Sequence, residues 1–319
     1  MAAGSGARFV VVDMTKSANL ALPNFETSRF RQAQVGSHGD LSRKRNVGLL
    51  LGRLASWRTI LFLDDDIYGL NPVQVARAVA ALDYFIAVGM PARRFPDNSV
   101  VCHAHRLSGG KQGIFVSGSA LAVNMSRIDT FFPDTYNEDW LFLAPHLDRY
   151  HVASYGSVRQ QRYSPFAYPH RAGAQEFGDV LAEGLLGYLH SNRLHLPPSI
   201  DYWRAFLARR ADFIAFTMRR LLNVEEPNAE VIRALTALRI AQIARSKISA
   251  EVLSEYVDAW FRDLQTWRRF LDKLPRTRVL AEAFHFLDLP TVQAPRLGQH
   301  RRLQPPPLLD VRSRSSGMR

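Results

Sequence analysis

Short apolar runs alternate with turn-rich stretches along the first half of the chain. Phe9-Val10-Val11-Val12 is a β-branched run ending in Asp13, and Thr59-Ile60-Leu61-Phe62-Leu63 is a second run ending in Asp64-Asp65-Asp66. Both are too short for independent helices and read as buried strands of a parallel sheet. Between them, Asn46 to Ser56 places Val47, Leu50, Leu51 and Leu54 at i, i+3, i+4 and i+7, the stripe of a helix packed on that sheet. Asn71-Pro72 predicts the next helix start, with Asn71 as N-cap and Pro72 at the first helical position. Strand, helix, strand, helix is the alternation of an α/β layer fold.

After about Gln175 the strand signal gives way to four helical patterns, with breaks near Pro197-Pro198, Pro227 and Pro275. In the clearest, Ser249 to Leu274, one side carries Leu253, Tyr256, Val257, Trp260, Leu264, Trp267 and Leu271. An aromatic stripe at this spacing reads as core, because burying it is what stabilises an amphipathic helix. The expected organisation is therefore an α/β domain over 8–175 and a helical subdomain over 176–289. A Pro/Arg-rich tail over 290–319 lacks apolar periodicity and reads as disordered. No fixed-period repeat indicates a solenoid.

Composition changes this picture in three ways. A length of 319 residues suits about two domains. The single cysteine, Cys102, excludes an intramolecular disulfide framework and fits a reducing compartment. No run approaches the roughly 18 apolar residues of a membrane span, and Met1 to Ala7 lacks the features of a secretory signal, so a cytoplasmic protein is expected. Of the formal charge of +12, the tail contributes +5. A second basic concentration, Arg29, Arg31, Arg43, Lys44 and Arg45 against Asp40, suits a phosphorylated substrate, nucleic acid, an anionic surface or simply a solvated face. No nucleic-acid reader motif accompanies it, and peripheral membrane contact stays open.

The strongest chemical feature is the acidic triplet. A strand delivering three carboxylates to its C-terminal end places them where open α/β sheets bind ligands. Asp64 and Asp66, two apart, project to one side and suit a hard cation such as Mn2+ or Mg2+ shared with phosphate oxygens. The bland alternative is a solvated cluster that caps the Asn71 helix. Glu138-Asp139, after Phe131-Phe132, suits a helix cap or a general base. Small residues in Phe115 to Val123 allow close approach of a backbone or ligand. Leu107-Ser108-Gly109-Gly110-Lys111-Gln112 looks like an ATPase signature loop without the phosphate-binding loop that should accompany it. Cys102, His103 and His105 fall short of a structural zinc set.

Taken together, these residues resemble a nucleotide-sugar glycosyltransferase of the GT-A fold, family 2-like, over roughly Arg8 to Arg171. Val10-Val11-Val12-Asp13 is similar to the family's base-binding strand end, and Gly39-Asp40-Leu41-Ser42 with Arg45-Asn46-Val47-Gly48 to its loop and helix start. Asp64-Asp65-Asp66 matches its D-x-D, Ser117-Gly118-Ser119-Ala120 its acceptor-side strand, and Glu138-Asp139 its base motif. The resemblance implies a mixed, mostly parallel sheet flanked by helices, and a hexosyl transfer from a nucleotide-diphosphate donor to a hydroxyl acceptor with inversion at the anomeric centre. It implies catalytic Asp139 and Glu138, donor contacts from Asp13, Arg45, Asn46, Asp64, Asp65 and Gly118, and a metal on Asp64 and Asp66 with His170, or else His151, as further ligand. Only seven residues precede the Asp13 strand, where the family carries a further strand and helix. Two other readings stand beside this one. One is a truncated or degenerate transferase that binds sugar or glycan without turnover. The other is a haloacid-dehalogenase-type phosphatase with Asp64 as nucleophile, for whose later acidic pair Gly178-Asp179, in a helical context, is only a partial candidate.

Overall fold

The computed structural model describes residues 10–14, 20, 22–35, 40–93, 98–111, 113, 116–147, 151–191, 197–277, 279–289 and 291–292. Phe9, Gly39, Gln112, Phe115 and all of the basic tail beyond residue 292 lie outside them. In chain order the elements are β1 (Val11–Val12), a 3-10 turn at Glu26–Arg29, α1 (Arg31–Gln34), α2 (Leu41–Leu54), β2 (Thr59–Leu63) and β3 (Ile67–Tyr68). Next come α3 (Pro72–Ala81), β4 (Ala87–Gly89), α4 (Val100–Leu107), β5 (Ala120–Asn124), α5 (Glu138–Leu147), β6 (Val152–Ser154) and β7 (Arg159–Gln160). The remainder is α6 (Arg171–Ser191), α7 (Ile200–Leu222), α8 (Ala229–Ser246), α9 (Ala250–Lys273), α10 (Leu280–Phe286) and β8 (Thr291–Val292). This is a mixed α/β protein, and among the described residues no helix is long and apolar enough to cross a membrane.

The main sheet has the order β2-β5-β4-β6. β2, β4 and β6 point the same way, but β5 runs against both β2 and β4, so only β4 and β6 form a parallel pair. The expected mostly parallel sheet is thus corrected to a mixed one in which antiparallel pairing dominates. The reason is topological. After β4 the chain does not cross back over the sheet; α4 packs on α6, α7 and α8 instead. The chain therefore re-enters at the edge where β4 ended, and β5 has to run in the opposite direction.

A second correction concerns the first apolar run. Val11–Val12 does not join the main sheet but pairs antiparallel with Thr291–Val292 of the segment expected to be disordered. Val10 and Val11 are exposed. A four-residue apolar run carries no period that says which partner will cover it.

Local signals hold well. Asn71 caps α3 by accepting hydrogen bonds from the Val73 and Gln74 amides, with Pro72 in the first turn. The stripe of α2 is buried, and its Gly48 lets the helix lie against Phe62, whose ring carbon would stand 3.0 Å from an added Cβ. Every apolar residue named on the α9 stripe is buried. One continuous core joins Leu50, Phe132 and Phe142 of the first half to Val180, Trp203, Tyr256, Trp260 and Trp267 of the helices. The helix α6 runs across position 175 without a break.

Candidate active site

The sheet edge formed by the end of β2 and the start of β5 assembles the site. β2 carries the acidic triplet there, and its path continues one residue further because the Asp64 amide donates to the Ser119 carbonyl at 2.9 Å. From the sheet's flank, α2 contributes three polar residues of its first two turns, Ser42, Arg45 and Asn46. Ser42 Oγ donates to the Pro133 carbonyl at 2.8 Å, and Asn46 exchanges two 2.8 Å hydrogen bonds with the Phe132 backbone. These bonds fix the segment that leads into α5, and α5 in turn begins at Glu138. Asn46 is thereby a positioning residue for the Glu138-Asp139 turn rather than a group open to a ligand.

Arg45 lies between those attachments and joins the motifs. Its Nη1 donates to Glu138 Oε1 at 2.6 Å, and its Nη2 to Asp64 Oδ1 at 2.8 Å and to the Gly118 carbonyl at 3.3 Å. The guanidinium also sits 5.4 Å from the centre of the Phe132 ring. Burial works against the Arg45 charge, but the carboxylates of Glu138, Asp64 and Asp139 outweigh it and raise its pKa. For Glu138 burial wins: together with the neighbouring Asp139 it pushes the carboxyl up to about 8, against the pull of Arg45. A carboxyl titrating there holds or releases a proton near neutral pH.

Gly118 is required by close packing at this point. Its amide donates to Asp139 Oδ2 at 2.6 Å, and a Cβ on it would lie 2.6 Å from Asp139 Cβ and 2.8 Å from Arg45 Nη1. The other Asp139 oxygen accepts from the Trp140 amide at 2.9 Å. Asn137, in the left-handed region at φ 62°, turns the chain into this arrangement, and its side chain is held by Asp179 of α6 at 2.9 Å.

In front of Arg45 opens a cleft of about 690 Å³, lined among others by Lys44, Phe62, Asp64, Asp65, Asp66 and Arg171. Asp65 is exposed. Asp66 Oδ2 accepts from Gln160 Nε2 at 2.9 Å, while Gln160 Oε1 is buried without a partner among the described residues. Lys44 pairs with Asp40 at 2.7 Å on the rim.

Compared with protein-family models, curated proteins and solved structures, the chain matches none.

The positions of the remaining candidates follow from the fold. Asp13 directly follows β1 of the β1–β8 ribbon and is not among the residues that line the cleft. His170 is exposed just before α6 and is not brought to the triplet; its neighbour Arg171 lines the cleft instead. His151 precedes β6 and so stands at the opposite edge of the sheet. Among the described residues no group of three or more His, Cys, Asp or Glu side chains is placed to hold a metal ion. Asp64 and Asp66 are two carboxylates, fewer than the oxygen ligands Mg2+ or Mn2+ takes, so a cation there would need substrate and water to complete its set.

Other motifs resolve into structure. Cys102 is buried in α4, where burial, Asp179 and Glu183 push its thiol up to about 12 and make it inert. Gly178-Asp179 lies inside α6 with Asp179 on Arg210, not at a strand end, which removes the second acidic pair the phosphatase reading needs. The cleft residues Gln160, Tyr163 and Arg171 escaped sequence reading. They come from a stretch with no apolar period, whose only signal is a density of polar and aromatic residues after β6.

Proposed function

We propose that the protein transfers a sugar from a nucleotide-diphosphate donor to a hydroxyl acceptor at this sheet edge, as a GT-A-like transferase. The observation that carries the reading is the convergence through Arg45 of four sequence-distant motifs: the α2 start, the acidic triplet, Gly118 and Glu138-Asp139. A cleft of about 690 Å³ is in the size range of small-ligand sites.

In this reading, Lys44 and Arg171 on the cleft wall attract the donor's phosphates and stabilise the charge that grows on the leaving diphosphate. Asp64 and Asp66 would hold Mg2+ or Mn2+, which when bound would supply Lewis-acid stabilisation of that leaving group. Arg45 keeps Asp64 and Glu138 in place from behind. Asp139, half-buried and held by two backbone amides, lies outside the cleft lining, so in this reading it takes the proton of an acceptor that reaches past Gly118. Glu138 sits too deep to touch a substrate and acts by setting the charge beside Asp139.

The test is a thermal-shift titration with UDP-, GDP- and dTDP-sugars, with and without Mn2+. A ligand that binds only the native state raises the midpoint by mass action. One nucleotide should give a metal-dependent rise that Asp66→Asn abolishes, and the absence of a rise with every donor would overturn the proposal.

One observation favours the second reading, binding without turnover. Arg45 is buried and its guanidinium engages Glu138, Asp64 and the Gly118 carbonyl, so the constellation also serves as an internal structural clamp. Donor binding without donor consumption in a product assay distinguishes the two.

A further inference from the structure

A second cleft, of about 740 Å³, opens on the other side of Tyr163, a side chain that lines both cavities. Its walls come from three elements: His103, Arg106 and Leu107 at the end of α4, the segment Arg162 to Phe166, and Glu230 and Arg233 in the first turns of α8. Phe166 belongs to the small apolar core that fastens α4 to α8, with Val101, Ala104, Val231 and Ala234, so the floor is packed rather than loose.

The charge in this cleft is one-sided. Arg106, Arg162 and Arg233 face it against the single acid Glu230. Among the described residues neither Arg162 nor Arg233 has an ion-pair partner, although Glu230 is three positions from Arg233 on the same helix. Arg106 Nη2 lies 2.9 Å from His103 Nδ1, and a guanidinium only donates, so His103 is neutral with its hydrogen on Nε2. That hydrogen is donated to the Tyr163 hydroxyl at 3.1 Å. Burial, then Arg106 and Arg171, bring the His103 pKa down to about 4, which keeps the ring neutral at physiological pH. The arrangement holds Arg106 and Tyr163 in place at the cleft wall without adding a counter-charge.

Three guanidiniums around a packed, partly apolar floor match a compact dianion with an organic body. Arginine forks bind phosphate oxygens in pairs, and a phosphate monoester carries about −1.5 to −2 charges at pH 7. We infer that the cleft between α4 and α8 is a phosphomonoester-binding site formed by Arg106, Arg162 and Arg233. Because Tyr163 is shared with the cleft of the acidic triplet, a molecule held there by its phosphate has its other end beside that cleft, which makes it the acceptor. The identification as acceptor rests on the transferase reading; the binding site does not.

The experiment uses the full chain, isothermal titration calorimetry and two probes: glycerol 3-phosphate, and phosphatidylcholine vesicles containing phosphatidic acid. At least one should bind saturably, the first indicating a free small molecule and the second a lipid headgroup. In the double variant Arg162→Glu/Arg233→Glu, affinity for that probe should fall tenfold or more. Both residues are exposed, so the ligand-free melting midpoint should stay unchanged and separate lost binding from lost folding. Asp66→Asn should bind the probe as the wild type does. Binding of neither probe, undiminished binding by the double variant, or loss of binding in Asp66→Asn would each overturn the inference. Retained glycerol 3-phosphate binding alongside failure of every nucleotide sugar would sink the transferase reading and leave this site standing.

Discussion

Arg45 and Glu138, ninety-three positions apart, are joined by a 2.6 Å charge-assisted hydrogen bond between two buried side chains. Since Arg45 also holds Asp64 and the Gly118 carbonyl, this bond ties α2, the tip of β2, the turn before β5 and the start of α5 into one unit. Removing Arg45 takes the donor from Asp64, Glu138 and the Gly118 carbonyl at once, and breaking such a buried cluster costs about 3–5 kcal/mol. Arg45→Met should lower the unfolding free energy by that amount in urea denaturation. Arg45→Lys should rescue little, because an ammonium lacks the fork that reaches two carboxylates at once. A loss under about 1 kcal/mol for Arg45→Met would show that the clamp contributes no stability.

Glu138 predicts a pH dependence with a definite sign. Its folded pKa, up to about 8, lies above its ordinary value of 4.5. Between those values the native protein keeps a proton that the unfolded chain has lost, so this group's contribution to stability falls as pH rises from about 4.5 to about 8. Glu176, raised to about 7 by burial despite Arg210, acts in the same direction. The melting midpoint should drop between pH 5 and pH 8, and Glu138→Gln should flatten the curve. Parallel curves for the two proteins would exclude Glu138 as a source.

Gly118→Ala places a methyl group against Asp139 and Arg45. The expected outcome is a lower melting midpoint together with weakened donor binding, read in the same thermal-shift series. An alanine variant that melts and binds like the wild type would mean that this turn tolerates a shift the present packing forbids.

Asp263, buried on α9, accepts from the Glu26 amide at 2.7 Å, from the Thr27 amide at 2.8 Å and from Thr27 Oγ1 at 2.7 Å. It thereby anchors the 3-10 turn to the last long helix across more than two hundred positions. Asp263→Leu leaves those donors unpaired and should cost about 2–4 kcal/mol. The sharper readout is amide hydrogen exchange, which should accelerate at Glu26 and Thr27 before it does in the core of α9.

How much of this was legible beforehand depends on the range of the interaction. The cap at Asn71 and the stripe of α9 were readable because each is decided within one or two helical turns. The three-dimensional link from Arg45 to Glu138 was not, since nothing in either segment encodes the other's position. The proposed ligand His170 and the cleft residue Arg171 are adjacent in sequence, yet only one reaches the cleft. Which one does so is settled by how α6 begins against α4 and α8, a matter of packing rather than of residue type.

The sequence by itself determined the alternation of strands and helices, the buried faces of α2 and α9, and the delivery of three carboxylates to the end of β2. Those properties follow from periodicity and from local backbone chemistry, which act over a few residues. Only the tertiary structure decided that β5 runs against its neighbours, that β1 pairs with β8 outside the main sheet, and that Arg45 holds Asp64 and Glu138 together. Each of those outcomes is a competition among distant segments for the same hydrogen bonds and the same buried charge, and the winner is known only once the whole chain has packed.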